Sequence, residues 1–168
     1  QVPEVLDLIG WAGLSAGPSS TSNTERKIIM EMFNNINLKR VLSPVSVADN
    51  TAQVGEVIDH QGLPVGCAVY VIATGSLGDA GAEFTTLLEE SDASGSGFAA
   101  VADADLLGTE ALASFIQTDD NKCFKLGYKG IKRYTRLTIT PTNNATAALI
   151  AAVCITMPLL GPTANPPA

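Results

Sequence analysis

The sequence predicts an all-β fold: an antiparallel β-sandwich of the jelly-roll kind, with a short helical N-terminal arm and an extended proline-rich C-terminal tail. Three observations carry this prediction. From residue 42 onward, short β-prone runs recur at regular spacing between turn clusters. Residues 134–140 (YTRLTIT) place Thr135, Leu137 and Ile139 on one side and Tyr134, Arg136 and Thr138 on the other, the pattern of a half-buried antiparallel strand. Aromatic residues make up only 5% of the chain, so the core must be filled by small and β-branched side chains, which favours strands over long helices. With 168 residues the chain fits one domain with appendages, divided here as an arm (1–40), a sandwich (41–157) and a tail (158–168).

The arm comes first. Residues 3–14 (PEVLDLIGWAGL) place Val5, Leu6, Ile9 and Ala12 at helical spacing, and residues 17–22 (GPSSTS) form a joint. Ser22 and Glu25 have the spacing of a capping box ahead of an apolar face made by Ile28, Ile29, Met32, Phe33 and Ile36, which predicts a second helix over 23–34. Two such helices cannot bury their faces alone. Ile28, Ile29, Met32 and Phe33 are therefore candidate contact residues, either for the main domain or for another chain.

Strands are expected over 45–48, 53–58, 67–74, 83–89, 98–102, 123–128, 134–140 and 149–157. Turn clusters separate them at 49–50, 75–79, 94–97, 119–121 and 141–144. Residues 67–73 (CAVYVIA) and 149–155 (LIAAVCI) are apolar on both faces, so each should be central in a sheet covered on both sides. The last residues, 158–168, hold four prolines and should run extended.

Charged residues are only 16% of the chain, against about 25% in an ordinary soluble domain. Much of the surface must then be small, neutral or apolar, which suits a subunit held against neighbours. From Gly75 to Asp120 there are ten acids and no base; Lys122, Lys125, Lys129, Lys132, Arg133 and Arg136 follow with no acid among them. Such halves can pair across copies of the chain, and Phe124, Tyr128 and Tyr134 within the basic strip could also stack bases. A net charge of −7 argues against general nucleic-acid binding.

Cys67, Cys123 and Cys154 are odd in number and lack metal or disulfide spacing, which suits a reducing cytoplasm. The N-terminus lacks the basic-then-apolar order of a secretory leader, and the apolar run 145–160 is too short and interrupted for a membrane span.

Chemistry is sparse. His60, the one histidine, has no nucleophile signature beside it and reads as a turn residue. Residues 103–110 (DADLLGTE) begin like a calcium loop, but Leu107 and Ser114 stand where ligands are required. Glu89 and Glu90 are adjacent, as are Asp119 and Asp120, and neighbours on a strand point to opposite faces. The glycines match neither the phosphate-cradling loop nor the dinucleotide fingerprint. No catalytic group, cofactor or metal is expected.

Four blocks carry a resemblance: residues 42–59 (LSPVSVADNTAQVGEVID), 71–79 (VIATGSLGD), 101–111 (VADADLLGTEA) and 130–141 (GIKRYTRLTITP). Together, over residues 38–157, the chain resembles a family of small tailed-bacteriophage and prophage proteins encoded near the major capsid protein. The resemblance implies a non-enzymatic virion protein, expected to decorate and cement the capsid exterior after assembly in the host bacterial cytoplasm. Its implied partners are the major capsid protein and copies of itself, as trimer or dimer, with no membrane and no nucleic acid. A tail, neck or baseplate component and a receptor- or glycan-binding module are the alternatives. Family members begin near a segment like Met32-Phe33-Asn34-Asn35, so residues 1–31 look like an addition.

Overall fold

A computed structural model of the protein describes residues 32–157. The expected arm helices, Ile28 and Ile29, and the proline-rich tail lie outside the described residues. The strands are β1 (Asn37–Val47), β2 (Gln53–Val54), β3 (Ile58–Asp59), β4 (Ala68–Leu77), β5 (Glu83–Ser91), β6 (Ala99–Ala100), β7 (Leu106–Leu107), β8 (Phe115–Ile116), β9 (Cys123–Tyr128), β10 (Tyr134–Thr142) and β11 (Ala148–Thr156), with one short helix α1 (Glu110–Ala113).

They form two sheets in which every pairing is antiparallel. The first runs β1-β11-β4-β9-β7; the second runs β2-β10-β5-β6, with β3 also on β10 and β8 also on β5. Because the chain passes back and forth between the sheets, this order is that of a jelly roll, once β2 with β3 and β6 with β8 are taken as broken strands.

Alternation fills the space between the sheets. Tyr70 and Ile72 of β4, Leu126 of β9 and Cys154 of β11 face Phe84 and Leu88 of β5 and Leu137 and Ile139 of β10, all of them buried. Phe115 stacks between Phe84 at 4.8 Å and Phe124 at 5.5 Å, ring centre to ring centre. Helix α1 closes one side of this core. The Thr109 hydroxyl caps it by accepting from the Leu112 amide, and Glu110 Oε1 accepts from the Leu88 amide on β5 at 2.7 Å.

Several expectations shift. The sandwich begins at Asn37 instead of residue 41, because Asn37, Leu38, Lys39 and Arg40 pair with Thr156, Ile155, Cys154 and Val153 of β11. Met32 to Asn35 form a turn closed by the Asn35 amide on the Met32 carbonyl. Gly75, expected in a turn, lies within β4, where the Leu149 side chain covers the place a Cβ would occupy. β10 runs on through Pro141, beyond the reach of β2, which pairs only with Thr138 and Ile139. Pro141 thus sits where no ladder donor is required. The expected strand at 98–102 shrinks to two residues, while β7, α1 and β8 arise in an acidic stretch that showed no periodicity.

Candidate interaction surface

β4 and β11 are central in their sheet, as their two-faced apolar runs require. The second sheet covers only one side of them. The other side is lined by Leu38 of β1; Leu149, Ala151, Val153 and Ile155 of β11; Val69, Val71 and Ala73 of β4; Cys123 of β9; and Leu107 of β7. Among the described residues nothing packs over it, and Leu38, Leu107, Leu149 and Val153 are exposed. Among the described residues, the expectation of cover on both sides is thus met on one side alone.

The register shows how this face is built. One row across the sheet is Leu38, Ile155, Val69, Gly127 and Leu107; the next is Arg40, Val153, Val71 and Lys125; a third is Ala151, Ala73 and Cys123. Gly127 keeps the first row low, because the Leu107 side chain lies 2.8 Å from where its Cβ would stand. Two shallow depressions flank the Val153–Val71 ridge. One, of about 470 Å³, is lined by Pro44, Val45, Ala73, Gly75, Leu149 and Ala151; the other, of about 550 Å³, by Val69, Leu107, Leu112, Cys123, Lys125 and Gly127. Arg40 and Lys125 are the only charges in these rows. Arg40 sits at the edge, 3.4 Å from Glu56, and Lys125 has no ion pair among the described residues.

The basic strip is spent differently from the expectation that it pairs across copies. Lys122 Nζ donates to Asp119 Oδ1 at 2.7 Å, Lys132 bonds Asp92, Arg133 forks onto Asp59 at 2.8 and 3.0 Å, and Arg136 forks onto Glu89 with both bonds at 3.1 Å. Four of the six bases therefore find acids within their own chain, leaving Lys125 and Lys129 without one among the described residues. These partners lie elsewhere in sequence and only the sheet register brings them near.

The Lys122 ammonium and the Ile116 amide hold the Asp119 carboxyl below its usual range, and the Arg133 fork does the same for Asp59. These pairs are exposed, so water and salt screen them and they add little to stability. Arg136–Glu89 is better buried; Thr138 Oγ1 also donates to Glu89, and the guanidinium lies 4.3 Å above the Phe98 ring.

His60 ends up more buried than a turn residue. Its Nε2 shares a 2.5 Å hydrogen bond with Thr135 Oγ1, which also bonds the buried Tyr70 hydroxyl, and its ring lies 5.1 Å from that of Tyr128. Desolvation, helped by the Lys39 charge, lowers its pKa to about 4, so the ring is neutral at pH 7. Burial raises the Tyr70 and Tyr128 hydroxyls, and it pushes the Cys154 thiol up to about 12. An open cleft of about 300 Å³ lies beside His60, lined also by Gln61, Val65, Tyr128, Ile131 and Arg133. Its polar groups are already committed: Arg133 to Asp59 and Gln61, and Tyr128 to Glu90 at 2.7 Å. Glu89 and Glu90 do point to opposite faces, one to Arg136 outside and one to Tyr128 across the sandwich.

Met32 and Phe33, the remaining arm candidates, are exposed and precede β1 at the end where Asn37 pairs with Thr156. Both ends of the described chain therefore lie together at one end of the first sheet. Of the residues lining the open face, only Lys125 belongs to the contact residues expected from sequence. The signal was present in the two runs apolar on both faces, read there as a burial requirement only.

No family model matches the chain, and no curated protein matches it. Among solved structures it is similar to the CBM22-1–GH10 modules of Clostridium thermocellum endo-1,4-beta-D-xylanase 10B, complexed with xylohexaose. That alignment has 14% identity and a TM-score of 0.39; it covers 74% of this chain and 26% of that one, so this chain spans about a quarter of its length.

Proposed function

We propose that this protein is a structural virion subunit that decorates a tailed-phage capsid, attaching in many copies and adding association energy at the joints between neighbouring subunits. The observation that supports the reading is the open face of the first sheet. A row of Leu, Ile and Val side chains on the outside of a sheet already covered on its inner side is surface made to be buried by another molecule. Burying it against a neighbouring subunit on the particle contributes at about 25 cal/mol per Å² of apolar area, and many copies multiply that along the lattice. The resemblance of residues 38–157 to proteins encoded beside major capsid proteins supplies the setting.

A glycan-binding module is the alternative: such sites stack sugars on exposed rings, and among the described residues Phe33 is exposed while Phe98 lies beneath Arg136 and Tyr134 sits 4.9 Å from the Arg133 guanidinium. A neck or tail component shares the chemistry of the open face and differs in number.

The test is the stoichiometry of this chain against the major capsid protein in purified particles, with add-back of the purified protein to particles that lack it. A ratio close to that of the capsid protein, with saturable add-back, is expected. A few copies per particle would move the protein to the neck or tail, and absence from particles would end the reading. Removing residues 1–31 leaves every described strand in the chain, and weaker add-back by a truncated chain that still folds would assign those residues to attachment.

A further inference from the structure

We propose that the open face takes the same face of a second copy of this chain, about a two-fold axis running along the strands between β11 and β4. The inference names one partner for the face on which the proposed function rests. Its basis is the order of one row across the sheet: Arg40 on β1, Val153 on β11, Val71 on β4 and Lys125 on β9.

Rotation about that axis exchanges the two sides of the row. Val153 of one copy then lies over Val71 of the other, placing the apolar ridge on the axis. Lys125 of each copy lies over the Arg40–Glu56 pair of the other. The Glu56 carboxylate is mostly exposed and held only by a 3.4 Å contact to Arg40, so it can take a second cation. Each copy thus brings one cation unmatched among the described residues and one acid with room for it, and the rotation matches them twice. The perpendicular two-fold, across the strands, would stack β9 on β9 and set Lys125 against Lys125. Charge therefore selects between the two ways of laying one sheet on the other.

Size sets the strength. Four inter-strand spacings of about 4.8 Å and six rises of about 3.3 Å make each face roughly 20 Å by 20 Å in projection. Two such faces bury on the order of 800 Å² in projection, below the roughly 1,200 Å² at which stable specific interfaces start, so a weak dimer that dissociates in the micromolar range or above is expected. Crowding on a particle surface would fill such an interface, while dilute solution would not. Packed sheets in this geometry cross at about 30° and lie about 10 Å apart, which valine and alanine side chains can fill.

The test is sedimentation of the full 168-residue chain over a range of concentrations, with urea unfolding as the check on folding. The wild type should show a reversible monomer–dimer equilibrium. Val153→Asp should be monomeric, with an unfolding midpoint like that of the wild type because Val153 points away from the core. Glu56→Lys should weaken the dimer by about tenfold or more by setting three cations together. Adding Lys125→Glu to it should restore dimerisation, since an acid would then face Arg40 and the new lysine. A wild type that stays monomeric at all concentrations would overturn the proposal, as would a dimer indifferent to Val153→Asp or a double variant as weak as Glu56→Lys. The outcome separates from the reading above: a dimer that ignores particles sinks decoration alone, and a monomer that binds them sinks only the self-association.

Discussion

On the outside of the second sheet, Arg136 forks onto Glu89 while Thr138, Thr140 and Thr142 continue the same face of β10, facing Leu87, Thr85 and Glu83 of β5, with Val54 and Ile116 as exposed apolar members at its edges. On the outside of the first sheet, the equivalent positions of β11 and β4 carry Leu149, Val153, Ile155, Val69 and Val71. Both sheets alternate with the same period and share one core. The difference teaches that a sandwich needs only its inner faces to fold, so the outer face of each sheet records what that side meets. Among the described residues the outer face of the second sheet is the more polar and that of the first sheet the more apolar.

The largest test of this contrast sets an inward residue against an outward one. Leu137→Ala, in the core on β10, should cost about 3 kcal/mol in urea unfolding, whereas Val153→Ala should change the monomer by less than about 0.5 kcal/mol. Comparable losses at the two positions would mean the first sheet is covered after all.

Next in size is acid sensitivity at the His60 corner. Its pKa is lowered from 6.5 to about 4 in the fold, so the unfolded chain takes up a proton that the folded chain refuses. Stability is therefore full above pH 6.5 and is lost as pH falls from 6.5 toward 4. After discount for partial exposure the loss is about 2 kcal/mol. His60→Gln should flatten the unfolding free energy over that window, while the lowered carboxyls of Asp59 and Asp119 act further down. An unchanged profile in the variant would assign the loss elsewhere.

A smaller effect is expected on the wet side. Glu89→Gln should cost about 1 kcal/mol by weakening the fork to Arg136, less than a core truncation because water can replace part of the pair. Smallest for stability is Val71→Ser with Val153→Ser. Unfolding should shift by less than about 0.5 kcal/mol per site, yet binding of a hydrophobic dye to the native protein should fall clearly. Dye binding that survives both substitutions would place the sticky surface elsewhere.

Much of the fold is legible along the chain because the signals are local. The period-two pattern of residues 134–140 marked both faces of β10, and the bounds of β9 agree with its β-prone run. Turn residues such as Asn121 and Asn143 do take positive φ. The places where reading failed share a cause. β1 was begun late because Asn37 to Arg40 are not strand formers on their own and are held by β11. β7, α1 and β8 are pieces too short to show a period. The intrachain partners of the basic strip are not legible locally because Arg133 and Asp59 lie 74 residues apart, and Arg136 and Glu89 47 apart.

The amino-acid sequence by itself determined the strand-built fold, the inward set of side chains and the requirement that β4 and β11 be flanked by apolar surroundings, since each follows from side-chain chemistry repeated at the spacing of the backbone. Only the tertiary structure decided which side of those strands the second sheet covers and which stays open. It also decided which bases are neutralised at home and that Lys125 and Lys129 are left over among the described residues, because these depend on register between segments far apart in the chain.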